Sequence, residues 1–111
     1  MAVTIWHNPK CSTSRKVLEL LQAKGAKPQV VEYLKTPPTR AELTALLDRM
    51  GAKPEDILRR RGNDELLGDN PTGRKLLDRM LEHPILIERP IVQTPKGAAI
   101  GRPPESVLEL L

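Results

Sequence analysis

The amino-acid sequence predicts a two-layer α/β domain, in which helices pack on one β-sheet. Three observations lead to this fold class: a strand–helix–strand pattern opens the chain, a central stretch has helical spacing only, and the last third returns to short β-prone runs before a final helix. The chain has 111 residues, which suits one domain with its own core. We therefore expect a single domain over residues 1–111, with a helical insertion at about residues 38–82.

The opening pattern predicts a βαβ unit with the only cysteine at its first turn. Residues 2–6 (AVTIW) and 28–34 (PQVVEYL) are β-prone, so both predict strands. Between them, apolar residues with helical spacing follow Ser12, and Gly25 is a typical end of a helix. A crossover of this kind makes the two strands parallel. Cys11 is therefore expected at a strand-to-helix turn.

The central stretch predicts three helices. Thr39 and Glu42 have the spacing of a capping box, and Gly51 follows the last apolar residue of that helix. Residues 54–61 begin with a proline, which suits a first helical turn, and they predict a second helix. Residues 74–81 (RKLLDRML) have an amphipathic pattern and predict the third. These helices form the predicted insertion.

The last third predicts strands and a short helix. Residues 85–88 (ILIE), 91–94 (IVQT) and 98–101 (AAIG) are β-prone. The Pro-Lys-Gly sequence between the last two runs predicts the turn of a hairpin. Two prolines then open a short helix over residues 105–111.

Composition excludes two classes of partner. The net charge is +4, but Trp6 and Tyr33 are the only aromatic residues. Such a chain lacks the stacking platform of single-strand nucleic-acid binders, so we expect no nucleic-acid partner. No apolar run approaches the roughly 20 residues that cross a bilayer, and the N-terminus does not resemble a signal peptide. We therefore expect a cytoplasmic protein with no membrane partner.

The surroundings of Cys11 indicate a reactive thiol. Unsatisfied NH groups and the positive end of the helix dipole stabilise a thiolate at a helix N-terminus. The basic residues nearby in sequence are His7, Lys10, Arg15 and Lys16. The hydroxyl residues that follow as further donors are Ser12, Thr13 and Ser14. Such neighbours lower the pKa of a thiol from about 8.5 toward neutrality, and they disfavour the alternative of a cysteine packed as a small apolar residue.

The lone cysteine limits the chemistry. It cannot form a disulfide within the chain, so redox chemistry requires a thiol from another molecule. We expect no metal site, because the cysteine and the two histidines, His7 and His83, lack ligand spacing. A tyrosine-phosphatase-like loop is not predicted either, since the position at which it needs an arginine is Val17.

Arginines are the candidate ligands of an oxyanion, because a guanidinium binds tetrahedral oxyanions through two parallel hydrogen bonds. Arg89 and Arg102 each precede a proline beside a predicted strand. A single surface arginine is usually only solvated. Position alone therefore does not decide whether either residue binds an oxyanion. In the triplet Arg59, Arg60 and Arg61, adjacent helix positions point in different directions, so at most one side chain faces a given site.

Four segments of the chain, in the same order, resemble the arsenate reductase family that works with glutathione and glutaredoxin: HNPKCSTSR, YLKTPPTRAEL, HPILIERPIV and IGRPPESVLEL. The resemblance covers residues 2–111. It implies a thioredoxin-like α/β fold with a mixed four-stranded sheet, flanking helices and a central helical insertion. It also implies reduction of arsenate to arsenite by a monomer without a bound cofactor, with glutathione as co-substrate and glutaredoxin as partner.

The same resemblance implies roles for single residues. Cys11 matches the nucleophile that attacks arsenate, and His7 matches a histidine that lowers the pKa of that cysteine. The three oxyanion-binding arginines of the family are matched by Arg59, Arg89 and Arg102. The two arginines that follow the first of these compete with it for the assignment. The peptide bond before Pro90 is expected to be cis, which costs an X-Pro bond only about 0.5 to 1 kcal/mol relative to trans.

Two other functions stay open at this point. A glutathione-dependent thiol reductase of another substrate would keep Cys11 and change only the oxyanion. A regulator in the same family binds RNA polymerase and senses oxidation through a Cys-x-x-Cys pair. Here the second position of that pair is Ser14, which removes the disulfide switch and favours the enzyme.

Overall fold

The chain forms two compact units. The computed structural model describes all residues, 1–111. Residues 1–36 and 89–111 make up the first unit, and residues 37–88 make up the second. The predicted helical insertion lies within the second unit, whereas the organisation of the whole chain as a single domain stays a prediction. None of the helices has the length and apolar character needed to span a bilayer.

The first unit contains a mixed four-stranded sheet. Its strands are β1 (Thr4–Trp6), β2 (Gln29–Val31), β3 (Ile91–Thr94) and β4 (Gly97–Ile100), in the spatial order β2-β1-β3-β4. β1 is parallel to β2 and antiparallel to β3, and β3 and β4 form an antiparallel hairpin. Ile5 of β1 lies opposite Val30 on one side and Val92 on the other. The predicted mixed four-stranded sheet is therefore confirmed.

Helix α1 (Ser12–Ala23) covers this sheet. It buries Val17 and Leu21 in a core that also contains Ile5, Val92 and Val107. The C-terminal segment Pro104–Leu110, which supplies Val107, packs on α1 and on the β3–β4 hairpin. This segment was predicted as a short helix and forms a 3₁₀ helix, in which Ser106 N donates to Pro103 O at 3.0 Å.

Two predicted helices of the second unit are confirmed. Helix α2 (Arg40–Met50) begins with the predicted capping box, in which Glu42 N donates to Thr39 Oγ1 and Thr39 N donates to Glu42 Oε1. It ends at Gly51, whose φ of 62° is a left-handed conformation that costs glycine little. Helix α3 (Gly73–Glu82) contains the predicted range 74–81 and buries two residues of its apolar face, Leu76 and Met80.

Two other predictions for the second unit are wrong. The helix predicted over residues 54–61 ends after a 3₁₀ turn, Pro54–Ile57. The strand predicted over residues 85–88 is replaced by a 3₁₀ turn, Pro84–Leu86, and a single β-bridge between Leu58 and Ile87. The reason is a pairing between the two segments, in which Arg59 N donates to Leu86 O and Glu88 N donates to Ile57 O. A further 3₁₀ turn, Asp64–Leu67, was not predicted.

Candidate active site

The thiol of Cys11 lies at the N-terminus of α1, as the sequence predicts. Cys11 is the N-cap residue of this helix and has an extended backbone. The turn before it is fixed by Asn8, whose backbone oxygen accepts from Cys11 N at 3.0 Å and whose Oδ1 accepts from Lys10 N at 3.0 Å. The side chain of Cys11 is partly exposed. A reactant can therefore reach the sulfur without unfolding the turn.

The β3–β4 hairpin brings two predicted arginines to this thiol. Arg89 precedes β3 and Arg102 follows β4, so antiparallel pairing places both at the open end of the hairpin. Arg102 donates from Nη2 to Cys11 Sγ at 3.4 Å and from Nε to Arg89 O at 2.9 Å. The Arg89 side chain also hydrogen bonds the thiol, which lowers the pKa of that group after burial has raised it. The structure thus unites Cys11, Arg89 and Arg102.

Close backbone packing at Gly101 holds this end of the hairpin. Gly101 N donates to Pro90 O at 2.9 Å. A Cβ atom at residue 101 would lie 2.7 Å from Val17 Cγ2 and 3.0 Å from Pro90 Cγ, so a side chain there is excluded unless its neighbours move. The peptide bond between Arg89 and Pro90, expected to be cis, is cis in the structure, and so is the bond after Arg102.

Four contacts lower the pKa of Cys11 below its ordinary value. Partial burial is the largest single influence, and it raises the pKa because it disfavours the thiolate. Hydrogen bonds from the Ser14 backbone and the Arg89 side chain, the charge of Arg102, and a hydrogen bond from the Thr13 backbone act in the other direction and together outweigh it. The helix N-terminus and the two arginines therefore favour the nucleophilic form of the thiol.

His7 contacts the hydroxyl group of Ser14 rather than the thiol. His7 Nδ1 lies 2.6 Å from Ser14 Oγ, and Ser14 Oγ accepts from Asn8 N at 3.1 Å. Both side chains are buried. Burial lowers the pKa of His7, Glu32 opposes this effect, and Arg15 adds to it. Burial therefore favours the uncharged imidazole, which contacts the turn through Ser14.

The hydroxyl residues after Cys11 differ in their surroundings. Ser12 is exposed, Thr13 is half-buried and Ser14 is fully buried. Backbone NH groups of Thr13 and Ser14, rather than their hydroxyl groups, contribute to the lowered pKa of the thiol. Their role as donors to a bound oxyanion stays a prediction.

Arg59 belongs to the second unit and is held there by Glu88. Arg59 Nη1 donates to Glu88 Oε1 at 2.9 Å, and both side chains are only 19% exposed. Arg60 and Arg61 are exposed, and Arg60 contacts Asn70. Within the triplet, Arg59 is thus the residue with a fixed, partly buried side chain. Its part in oxyanion binding stays a prediction.

No metal-binding cluster is present. The chain has no group of three or more His, Cys, Asp or Glu side chains that could hold a metal ion.

A comparison with known proteins identifies the family. The sequence model of the ArsC family matches residues 6–110. The chain belongs to the ArsC family. It is 49% identical over 113 residues to the arsenate reductase of Escherichia coli strain K12, an alignment that covers 98% of this chain and 80% of that protein. It is 50% identical over 115 residues to the arsenate reductase of Rhizobium meliloti strain 1021, with coverage of 100% and 82%.

The fold of this ArsC-family chain matches a solved structure over its whole length. The arsenate reductase from Vibrio cholerae superposes with a TM-score of 0.90 at 45% sequence identity, and the match covers 100% of this chain and 98% of that one. The thioredoxin-like α/β fold that the sequence resemblance implies is therefore confirmed.

Three features of this ArsC-family site were missed from the sequence. Asn8 fixes the turn before the cysteine, Gly101 permits close packing behind Arg102, and Glu88 pairs with Arg59. The Asn-Pro dipeptide at residues 8–9 is a turn signal that could have indicated the first of these. The other two depend on contacts distant in sequence, which no local pattern reveals.

Proposed function

We propose that this chain is an arsenate reductase that reduces arsenate to arsenite through the thiolate of Cys11, with glutathione and glutaredoxin as reductants. The observation that supports this most is the contact of Arg102 Nη2 with Cys11 Sγ at 3.4 Å, beside Arg89. It joins a nucleophile to two guanidinium groups that suit a tetrahedral oxyanion. The named relatives, which are arsenate reductases, supply the choice of arsenate among such oxyanions.

The first step is attack of the Cys11 thiolate on arsenic. A sulfur–arsenic bond forms, and one oxygen of arsenate leaves as hydroxide and is protonated to water. Negative charge concentrates on the remaining oxygens, where Arg89 and Arg102 stabilise it. We propose Arg59 as a third oxyanion ligand, on the strength of the family resemblance.

The second step requires a thiol from outside the chain, because Cys11 is the only cysteine. The thiolate of glutathione attacks Cys11 Sγ and forms a mixed disulfide. The electron pair of the sulfur–arsenic bond stays on arsenic, which is reduced from As(V) to As(III) and leaves as arsenite. Glutaredoxin then removes glutathione by thiol–disulfide exchange and restores the thiolate.

Further roles are proposed for the residues around Cys11. We propose that His7 lowers the pKa of Cys11 indirectly, by fixing Ser14, whose backbone NH is the largest of the contacts that lower the pKa of the thiol after burial has raised it. Backbone and hydroxyl groups of Ser12 and Thr13 are further proposed donors to bound arsenate. Pro90 is proposed to support Arg89 beside the site. We further propose a cytoplasmic monomer with no bound cofactor and no metal, since the cytoplasm holds glutathione in its reduced form.

The test is a coupled assay of the purified chain with arsenate, glutathione and glutaredoxin, in which arsenite is measured directly. Catalytic formation of arsenite that depends on all three additions is the expected result. Glutathione attached to Cys11 without arsenite formation would instead indicate a thiol reductase of another substrate. Capture of RNA polymerase from extract by a chain inactive toward arsenate would indicate the regulator.

A further inference from the structure

A groove runs along one face of α1 in the first unit. Its upper part has a volume of about 410 Å³, within the range of small-ligand sites, and is lined by Ser12, Thr13, Arg15, Lys16, Glu19 and Pro104. A second cleft of about 300 Å³ shares Lys16, Glu19 and Pro104 and extends toward Ala23. We call the two clefts together the α1 groove.

Both walls of the α1 groove are next to residues of the thiol site along the chain. One wall is α1 itself, whose N-cap is Cys11 and whose first two residues, Ser12 and Thr13, line the upper part. The other wall begins at Pro104, two residues after Arg102, which contacts Cys11 Sγ. The lining of the groove therefore includes the residue that follows Cys11 and the segment that follows Arg102.

The charges that line the α1 groove have both signs. Lys16 and Glu19 are exposed, and neither forms an ion pair. Arg15 is tied to the turn, because its Nη1 donates to Pro9 O at 2.8 Å. The groove thus offers one carboxylate and one ammonium group for a ligand, with a fixed guanidinium next to them.

We propose that the α1 groove is the subsite that holds glutathione while its sulfur attacks Cys11. Glutathione is a tripeptide thiol with two carboxylates and one ammonium group, and this pattern complements the charges of the groove. Lys16 and Arg15 bind its carboxylates, and Glu19 binds its ammonium group. The inference rests on the proposed function, in which an external thiol must reach Cys11 Sγ, and it adds where that thiol binds.

The chemistry at this subsite can be isolated from arsenate. The Cys11 thiolate attacks one sulfur of glutathione disulfide, a sulfur–sulfur bond forms as another breaks, and glutathione thiolate leaves. The same exchange with the neutral disulfide of 2-mercaptoethanol uses the same thiolate but offers no charges to the groove. The ratio of the two rates therefore reports recognition by the groove, separately from the reactivity of the sulfur.

The experiment compares wild type with Lys16→Glu and Glu19→Lys, and uses Lys27→Glu as a control with the same charge change as Lys16→Glu. Lys27 is exposed and lies in the loop before β2, outside the α1 groove. Rates of transfer to Cys11 are followed by intact-protein mass spectrometry. For Lys16→Glu, the rate with glutathione disulfide should fall about fivefold, as for loss of an exposed ionic contact. The rate with the neutral disulfide should stay unchanged, because Lys16 is not among the groups that shift the pKa of Cys11 in the structure. Lys27→Glu should match wild type.

Equal effects on both disulfides, or none on either, would overturn the subsite. In the arsenate assay, the groove variants should raise KM for glutathione and leave KM for arsenate unchanged. A chain that does not reduce arsenate but still discriminates the two disulfides through Lys16 would refute the proposed substrate and keep the subsite. A chain that reduces arsenate with an unchanged KM for glutathione in both variants would refute the subsite alone.

Discussion

Arg102 and Cys11 lie 91 residues apart in sequence, yet Arg102 Nη2 donates to Cys11 Sγ at 3.4 Å. The β3–β4 hairpin makes this contact possible, because its antiparallel pairing returns the chain to the end of β1 that precedes the cysteine turn. A positive charge beside a sulfur stabilises the thiolate, and the same guanidinium can bind an oxyanion. If Arg102 binds arsenate as proposed, this contact links the reactivity of the thiol to substrate binding.

Replacing Arg102 should weaken both the stabilisation of the thiolate and the binding of the oxyanion. In Arg102→Ala the pKa of Cys11 should rise, because a cation that favours the thiolate is lost. We expect kcat/KM for arsenate to fall about tenfold to hundredfold. The pH profile of alkylation by iodoacetamide measures the pKa, and the coupled assay measures turnover. Arg74→Ala is the control, since Arg74 is exposed on α3 in the second unit, and equal effects of both changes would indicate general surface electrostatics.

The buried His7 should make stability depend on pH. Its pKa is lowered in the folded chain, so the unfolded state binds more protons at pH values between the folded pKa and the ordinary value near 6.5. The free energy of unfolding should therefore decrease as pH falls below about 6.5, by at most about 1.4 kcal/mol per pH unit from this group. Urea denaturation of wild type and His7→Gln between about pH 7 and 5 tests this. An equally steep loss in the variant would assign the effect to other groups.

Gly101→Ala should displace the neighbouring Arg102 through a steric clash. The added methyl group would lie 2.7 Å from Val17 Cγ2, so we expect a loss of about 1–3 kcal/mol in stability and a displaced Arg102 with reduced turnover. Thermal unfolding and the arsenate assay measure both effects. Gly68→Ala is the matched control, because its Cβ would meet no atom closer than 3.8 Å. The double variant with Val17→Ala should recover part of the turnover, and failure to do so would argue against the clash.

The pair of Arg59 and Glu88 should be energetically coupled. Both side chains are largely buried, so a double-mutant cycle with Arg59→Ala and Glu88→Ala should give a coupling energy of about 1–2 kcal/mol in urea denaturation. A coupling energy near zero would mean that the pair contributes nothing to stability.

Among alanine variants of the three adjacent arginines, Arg59→Ala should weaken arsenate binding most. A larger loss of binding in Arg60→Ala or Arg61→Ala would reassign the oxyanion ligand.

Sequence patterns predicted those elements whose determinants are local. The capping box of Thr39 and Glu42 and the glycine at residue 51 define α2 almost completely. The apolar spacing of residues 74–81 likewise indicated α3. By contrast, the segments around Leu58 and Ile87 were assigned wrongly because they pair with each other across the second unit. A single bridge of this kind overrides local propensity and leaves no periodic pattern to detect.

The features of the candidate site likewise include some that local sequence patterns predict and others that depend on distant contacts. The position of Cys11 at a helix N-terminus follows from the strand, turn and helix signals around it. The convergence of Arg89 and Arg102 on the sulfur depends on the register of a hairpin, and from the sequence it was available only through the family resemblance. The lowered pKa of His7 depends on burial, which sequence patterns do not reveal. The contact of His7 with Ser14 likewise could not be predicted from the sequence.

The central claim is that Cys11 forms the bond to arsenic and that an external thiol is required to release arsenite from Cys11. Incubation of the chain with arsenate and glutathione, without glutaredoxin, followed by intact-protein and peptide mass spectrometry, tests this most directly. The account predicts one glutathione per chain, attached at Cys11, with about one arsenite released, and no adduct or arsenite in Cys11→Ser. Arsenite formation by Cys11→Ser would contradict this claim. Repeated turnover of the wild type with both glutathione and glutaredoxin absent would also contradict it.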